Sequence, residues 1–268
     1  MLTNYNFLSP LLQHKGLIWT MAKRDLAMRY KGSVMGMLWT FFNPLLMLAI
    51  YTFVFQYVFR SKWGMEGEMK TGFAIILFSG LILHMWLTEV FSRSVSLMSS
   101  NANFVKKIVF PLEVFPWVVL LSASFQFAIA SLVLVGFMVV EGASFTMSML
   151  LAPITVAPLA LLLLGSSYLF SALGVFVKDL EQFIGSFVTI LLFTSTVFFS
   201  LDNVPAIIQP FIKLNPLTIP VEAFRGAVIW GHVDNWFEVG IYTVVSILFT
   251  LVSYAFFKKV KTIFPDVM

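Results

Sequence analysis

"RDLAMRYKGSVMGMLWTFFNP", residues 24–44, carries four charges in its first eight positions and no other before Arg60. A cationic segment that leads straight into an apolar run is the pattern of a helix lying along a membrane surface followed by one that crosses it. Gly32 and Gly36 stand between the two, where a chain must change direction.

The remainder of the chain fits a membrane setting. Of 268 residues, 59% are hydrophobic and 11% charged, with a mean hydropathy of +0.92. A soluble domain of this size cannot hide that much apolar surface. Since about 20 apolar residues cross a bilayer, the chain divides into six apolar runs of sufficient length, at 36–59, 73–98, 114–140, 149–177, 183–201 and 239–257. The expected fold is therefore an all-α integral membrane protein, one transmembrane domain of six spans preceded by an interface helix within residues 1–33.

Orientation follows from the cations, because positive flanks stay cytoplasmic. Six spans put both termini on one side. That side collects Lys15, Lys23, Arg24, Arg29, Lys31, Arg93, Lys106, Lys107, Lys178, Lys258, Lys259 and Lys261; the other has Arg60, Lys62, Lys70, Lys213 and Arg225. Both termini are thus expected in the cytoplasm. The net charge of +4 is accounted for by topology and calls for no nucleic-acid partner. The first apolar run is about twice the length of a signal-peptide core and no small-x-small site follows it, so it reads as an uncleaved span.

Several chemistries are excluded early. There is no cysteine, hence no disulfide and no thiolate metal site, and His14, His84 and His232 make no metal-ligand pattern. A P-loop needs a glycine-rich turn ending in Gly-Lys, and that pair does not occur. If ATP powers this protein, a separate chain binds it.

"RDLAMRYKGSVMGMLWTFFNPLLM" (24–47), "FPLEVFP" (110–116), "VFVKDLEQFIG" (175–185) and "LNPLTIPVEAFRG" (214–226) follow one another in an order and spacing that resembles the permease subunits of polysaccharide ABC exporters. Those are type-2 ABC transporters that export O-antigen, capsule or teichoic acid chains, and the resemblance covers essentially the whole chain. It implies a homodimer with two copies of a P-loop ABC ATPase, which would bind ATP and Mg; this chain itself needs no cofactor and no metal. It also implies a lipid-linked polysaccharide substrate and a place in the bacterial cytoplasmic (inner) membrane. One departure is visible. Where the family often has a proline near the end of its fifth span, Ser195, Thr196 and Val197 stand here, so the resemblance does not fix the bend of that helix.

Two segments are candidates for coupling to the ATPase. On a helical wheel from Leu17 to Lys31, Lys23, Thr20, Lys31 and Arg24 share one sector, while Asp25 and Arg29 pair at i,i+4 elsewhere. The plain reading is a positive-inside anchor; in the family the segment packs against the ATPase, which selects Lys23, Arg24 and Asp25. The second is "SSNANFVKKIVFPLEVFP" (99–116), where Asn101 or Asn103 can cap a short helix ended by Pro111. Asn103, Phe104, Lys106 and Lys107 are its candidates. Phe104, Ile108 and Phe110 are costly to leave in water, so a partner surface or the headgroup region is expected to cover them.

Charges within the spans are few. Glu89 and Arg93 at i,i+4 near the cytoplasmic end of the second span read as a structural pair, and His84 as a hydrogen-bonded packing residue. Between 202 and 236 the chain carries Pro205, Pro210, Pro216 and Pro220, yet is too apolar for a free loop. A re-entrant helical hairpin is expected there, with Glu222 and Arg225 one turn apart stabilising it.

A glycan path needs surfaces on which sugars slide, and aromatic rings supply them. On the first span Phe41, Tyr51, Phe55 and Phe59 form one stripe, and Trp39, Phe42, Phe53 and Tyr57 the opposite one. Either stripe can line a channel, and either can face lipid. The resemblance adds Phe187, Phe198 and Phe199 on the fifth span. Arg24, Arg29 and Lys31 are the candidates for attracting an undecaprenyl diphosphate at its entrance. Two rivals stay open: a type-2 permease for a small drug or another lipid, and an intramembrane transferase, for which the chain offers neither a nucleophile with a His partner nor a metal-binding acidic pair.

Overall fold

A computed structural model of the chain describes residues 7–29, 31–54, 72–107, 110–143 and 145–267, which are helices and their connections without a strand. Among the described residues, five helical stretches are long and apolar enough to cross a membrane: Gly36–Val54, Phe73–Val95, Val114–Val140, Met147–Phe176 and Trp236–Val267. The helices are α1 (Ser9–Arg29), α2 (Trp39–Tyr51), α3 (Phe73–Val95), α4 (Ala102–Lys107), α5 (Val114–Val140), α6 (Ala152–Phe176), α7 (Leu180–Phe193), α8 (Gln209–Lys213), α9 (Thr218–Arg225), α10 (Trp236–Val260) and α11 (Phe264–Val267).

Helix α3 is the axle of the bundle. Inside the chain 72% of its apolar window is buried, against 17% for the first span, so α3 is wrapped by its own chain while α2 offers most of its faces to lipid or to another subunit. Around α3 pack α5, α6, α7 and α9, and α10 lies against α6. Small residues permit the close crossings. A Cβ added to Gly174 of α6 would stand 2.0 Å from the carbonyl oxygen of Val95. One added to Gly165 would meet Thr250 Cα at 2.9 Å, where Thr250 Oγ1 donates to the carbonyl of Leu161. Without a hydrophobic drive between helices in lipid, such contacts and interhelical hydrogen bonds hold the bundle.

α1 kinks at His14, lays Ile18 and Ala22 against α5, and leaves Leu12, Trp19 and Met28 exposed. Between it and the first span, Gly32 (φ 88°) and Gly36 (φ 51°) take the left-handed conformation that the change of direction demands. The predicted end of the first span, including Phe55, Tyr57 and Phe59, lies outside the described residues.

The fifth run differs from expectation. Instead of one span over 183–201, helix α7 stops at Phe193 after 14 residues, shorter than the bilayer requires, and the chain turns through 194–200. Polar contacts hold that turn, some local, with Thr194 Oγ1 donating to the carbonyl of Ile190 and Ser195 Oγ to that of Leu192, and others distant in sequence. Asn215 Nδ2 donates to the carbonyl of Leu191 and to Thr194 Oγ1, both at 2.8 Å, and Arg225 takes the carbonyls of Thr196 and Val197. After the turn, α8 and α9 are short, as the prolines require. α9 runs into a single π turn, Gly226–Trp230, and ends at Gly231 with φ 81°.

Candidate functional site: a charge cluster joining the interface helix to the bundle

Where α1 meets α3 and α5, four charges and two polar side chains close on one another. Asp25 and Arg29 are one turn apart on α1; Glu89 and Arg93 are one turn apart on α3. The pairs are crossed: Arg93 Nη2 lies 2.6 Å from Asp25 Oδ1, and Arg29 pairs with Glu89. From α5, Ser122 Oγ accepts from Arg93 at 2.9 Å. Gln126 completes the ring when its amide oxygen faces Arg29 and its nitrogen faces Glu89 Oε2 at 3.0 Å. The four charged side chains are between 16% and 28% exposed, so their attraction is less screened than at an open surface. The expected Glu89–Arg93 pair is therefore half of a larger lock.

The coupling candidates gather beside this cluster. Arg24, Asp25, Asn101 and Phe104 line a cavity of about 310 Å³ between α1 and the 99–107 segment. Lys23 and Arg24 are exposed, Lys23 over the ring of Trp19 at 5.1 Å, and Asn103 and Lys106 are exposed on α4. Lys107 closes α4, and its side chain lies outside the described set. Asn101 Nδ2 donates to the carbonyl of Leu97. The loop's rings are covered from within, Phe104 packing on Phe110 and Phe115 at centroid distances of 5.0 and 5.8 Å, while Ile108 lies outside the described residues. Their cover is thus no reason to require an outside partner. The chain's end also braces this region, with Lys261 paired to Glu113, Phe264 fully buried and α11 against α4.

Of the three cations set aside for a lipid diphosphate, Arg24 and Lys31 are exposed. Arg29 is engaged by Glu89, Asp25 and Gln126.

Arg225 is a second polar centre. Fully buried, it donates to the carbonyls of Ile76, Thr196 and Val197 and to Ser79 Oγ, and stands 3.4 Å from Glu222. Burial lowers its pKa to about 10 against the opposing pull of Glu222, which leaves it a cation at neutral pH. Gly80 gives it room, since a Cβ there would lie 2.9 Å from Nη2. His84 is a packing residue, its Nε2 at 3.0 Å from the carbonyl of Val188 on α7.

Among the aromatic candidates, Phe41 and Phe42 are exposed, and Trp39 and Tyr51 half-buried. On α7 Phe187 stacks on Phe183 at 5.7 Å, and beyond the turn Phe198 stacks on Phe193 at 5.4 Å; Phe199 is half-buried. Phe183 and Phe193, both exposed, extend the predicted aromatic set along α7. So do Ser122 and Gln126 the charge cluster, and their signal was present in the sequence as two of the four polar residues of that span, set at i,i+4 on one helix face.

Residues 16–229 match the ABC-2 type transporter family. The chain belongs to that family. The matched stretch contains every member of the charge cluster, the coupling loop and Arg225. Among similar proteins, an O-antigen export system permease protein RfbA of Klebsiella pneumoniae is 28% identical over 253 residues, 94% of this chain and 95% of the relative. A second RfbA of that species is 27% identical over the same shares, and one of Myxococcus xanthus 25% identical over 83% of each chain. An ABC-2 type transporter chain is a membrane-embedded transport subunit, and the five long apolar helices here make it multi-pass.

Proposed function

We propose that this chain is the membrane-spanning subunit of an ATP-driven exporter of undecaprenyl-diphosphate-linked polysaccharide, lipopolysaccharide O-antigen foremost. In this reading it works as a homodimer with two copies of a P-loop ABC ATPase, which binds ATP and Mg, in the cytoplasmic membrane with both termini inside. The near end-to-end likeness to O-antigen export permeases supports the cargo class. The charge cluster is the observation that carries the mechanism, because it ties α1, which packs on α5, to the most buried span of the bundle.

Closure of the ATPase subunits would push on α1 and α4. Since Asp25–Arg93 and Arg29–Glu89 tie α1 to α3, and His84 ties α3 to α7, a shift of α1 moves the wall formed by α3 and α7. The first span, with little of its surface buried in its own chain, would face its partner copy across the path. Phe41, Phe42, Phe183, Phe187 and Phe193 offer rings for the glycan to slide on. Arg24 and Lys31 are the cations for the diphosphate; Arg29, balanced by carboxylates, serves the lock instead.

Purification of the tagged chain with its genomic neighbours co-expressed tests this reading. A P-loop ATPase recovered in equal amount, together with loss of surface glycan when the chain is deleted, is the expected result. A deletion strain with intact surface glycan overturns it, and loss of resistance to a small drug would favour a type-2 permease of another kind.

A further inference from the structure

Glu113 is the only charged residue between Lys107 and Glu141, and it stands at the joint where the segment after α4 enters α5. The residue is 8% exposed. A carboxylate so placed weakens a fold unless it is paired. Its partner comes from the far end of the chain, where Lys261, in the turn that follows α10, forms an ion pair with it. The main-chain carbonyl of Glu113 is held as well, accepting from the hydroxyl of Tyr168 on α6 at 3.0 Å. One residue is thus gripped at two points from two directions.

Behind both grips lies one aromatic block. Tyr168 is fully buried, with Tyr254 and Phe257 of α10 edge-on to it at centroid distances of 5.1 and 5.4 Å. Phe264 of α11 meets Phe257 at 5.6 Å and Phe176 at 6.2 Å. α6, α10 and the chain's end therefore pack as a unit, and α11 touches α4.

On the other side of Glu113 stands α4. Its Phe104 rests on Phe110 and Phe115, and Phe110 lies 5.2 Å from Phe115, so a displacement of α4 reaches the residues that bracket Glu113 in the chain. From there the two grips on Glu113 lead to α6 and α10. This contact is separate from the lock between α1 and α3, since none of the four charges of that lock belongs to it.

We propose that Glu113 is a positioning residue: clamped by Lys261 and Tyr168, it sets where α4 stands on the bundle and carries its movement to the α6 and α10 pair, a second transmission route beside the lock. The proposal rests on the reading above in which the ATPase pushes on α4. Glu113 acts through its neighbours and touches neither nucleotide nor glycan.

The test uses the full-length chain with its ATPase partner in nanodiscs. Glu113→Gln keeps the shape of the side chain and the main-chain carbonyl, and leaves Lys261, 30% exposed, able to reach water. Spin labels on Asn103→Cys in α4 and Lys259→Cys in α10, both exposed positions in a chain otherwise without cysteine, report the place of one helix on the other by double electron–electron resonance. Labelled chain is diluted into unlabelled chain so that each distance belongs to one copy. We expect one narrow distance with Glu113 in place, and with Glu113→Gln a distribution about twice as wide or more. Assembly and ATP hydrolysis should persist, while surface glycan in cells with equal amounts of complex falls by about fivefold or more. Lys261→Arg, which keeps the cation, should retain both the narrow distance and export. An unchanged distance, unchanged export, or a Lys261→Arg as damaging as Glu113→Gln overturns the proposal. Tyr168→Phe, which removes the hydroxyl and keeps the ring, serves if Glu113→Gln does not accumulate. It should widen the same distance; if it leaves the distance narrow, or also fails to accumulate, the contact serves folding alone and the proposal falls. The two readings fail separately: a chain recovered without an ATPase sinks the coupling reading, whereas an ATPase that binds and drives export unaffected by Glu113→Gln sinks the clamp alone.

Discussion

Arg93 of α3 meets Asp25 of α1 at 2.6 Å across 68 positions of sequence, and Arg29 returns the link to Glu89. Each helix contributes one acid and one base at i,i+4, and each acid is shared with the base of the other helix. This cross-linking makes the contact a register device. Sliding α1 by a single residue, about 1.5 Å, would disturb both bridges together.

If the lock transmits motion, Asp25→Asn and Arg93→Gln should each lower glycan export by about tenfold or more, with the ATPase still hydrolysing ATP. The stability cost of either change should be about 1–3 kcal/mol, that of a charge-assisted hydrogen bond. Combined, they should cost little more than either alone, since both break the same bridge. A double-mutant cycle on export rates checks this; additive losses would show the two residues acting independently.

Gly174→Ala should prevent assembly of the bundle. The new methyl would fall 2.0 Å from a backbone carbonyl of α3, and neither helix can retreat without losing its other neighbours. Gly136→Ala, with nothing within 4 Å of the added carbon, is the matched control and should accumulate normally. Detergent-resistant yield by fluorescence size-exclusion chromatography separates the two.

How much of this was legible in the sequence depended on whether the deciding partners are local. The third apolar run folds as one helix, Val114–Val140, because Pro111 and Glu113 bound it at one end and Glu141–Gly142 at the other. The Gly32 and Gly36 turn was readable for the same reason, since a change of direction needs a local left-handed residue. The end of α7 was not. Thr194, Ser195 and Thr196 mark the spot but do not by themselves end a helix in a run that continues to Leu201; the added hold comes from Asn215 and Arg225, more than twenty residues beyond Phe193. The charge cluster was half legible: i,i+4 spacing paired Asp25 with Arg29 and Glu89 with Arg93, but only the packing of α1 against α3 and α5 crosses the pairs.

Arg225 serves as the cap for that early stop, and lysine is no substitute. Its fork reaches Ile76, Thr196 and Val197 together, whereas an ammonium on a flexible stem cannot keep that geometry. Arg225→Lys and Arg225→Met should both lower the amount of folded protein severely, because buried carbonyls lose their donors. Glu222→Gln should be tolerated, as that side chain is 29% exposed and a modest member of the group. Thermal melts of the purified chains distinguish these outcomes; a stable Arg225→Met would mean that the turn after Phe193 is held by Asn215 alone.

The chain's lack of cysteine permits a direct test of its orientation, because any thiol introduced is the only one present. With both termini inside, Ser99→Cys in the exposed 99–101 turn should react with a membrane-impermeant maleimide only after the cells are opened. Glu141→Cys, at the exposed end of α5, and Asn203→Cys, in the 201–203 turn, should react in intact cells, at a periplasmic or outer face. The pair Ser99 and Asn203 is decisive for α7. Between them the chain passes through α5, α6 and α7, so opposite accessibility requires that α7, for all its 14 residues, carry the chain across together with the turn that Arg225 holds. Labelling of both from the same side would mean that α7 dips into the membrane and the chain returns before Asn203, and the twelve cations assigned to the cytoplasm would have to be divided anew.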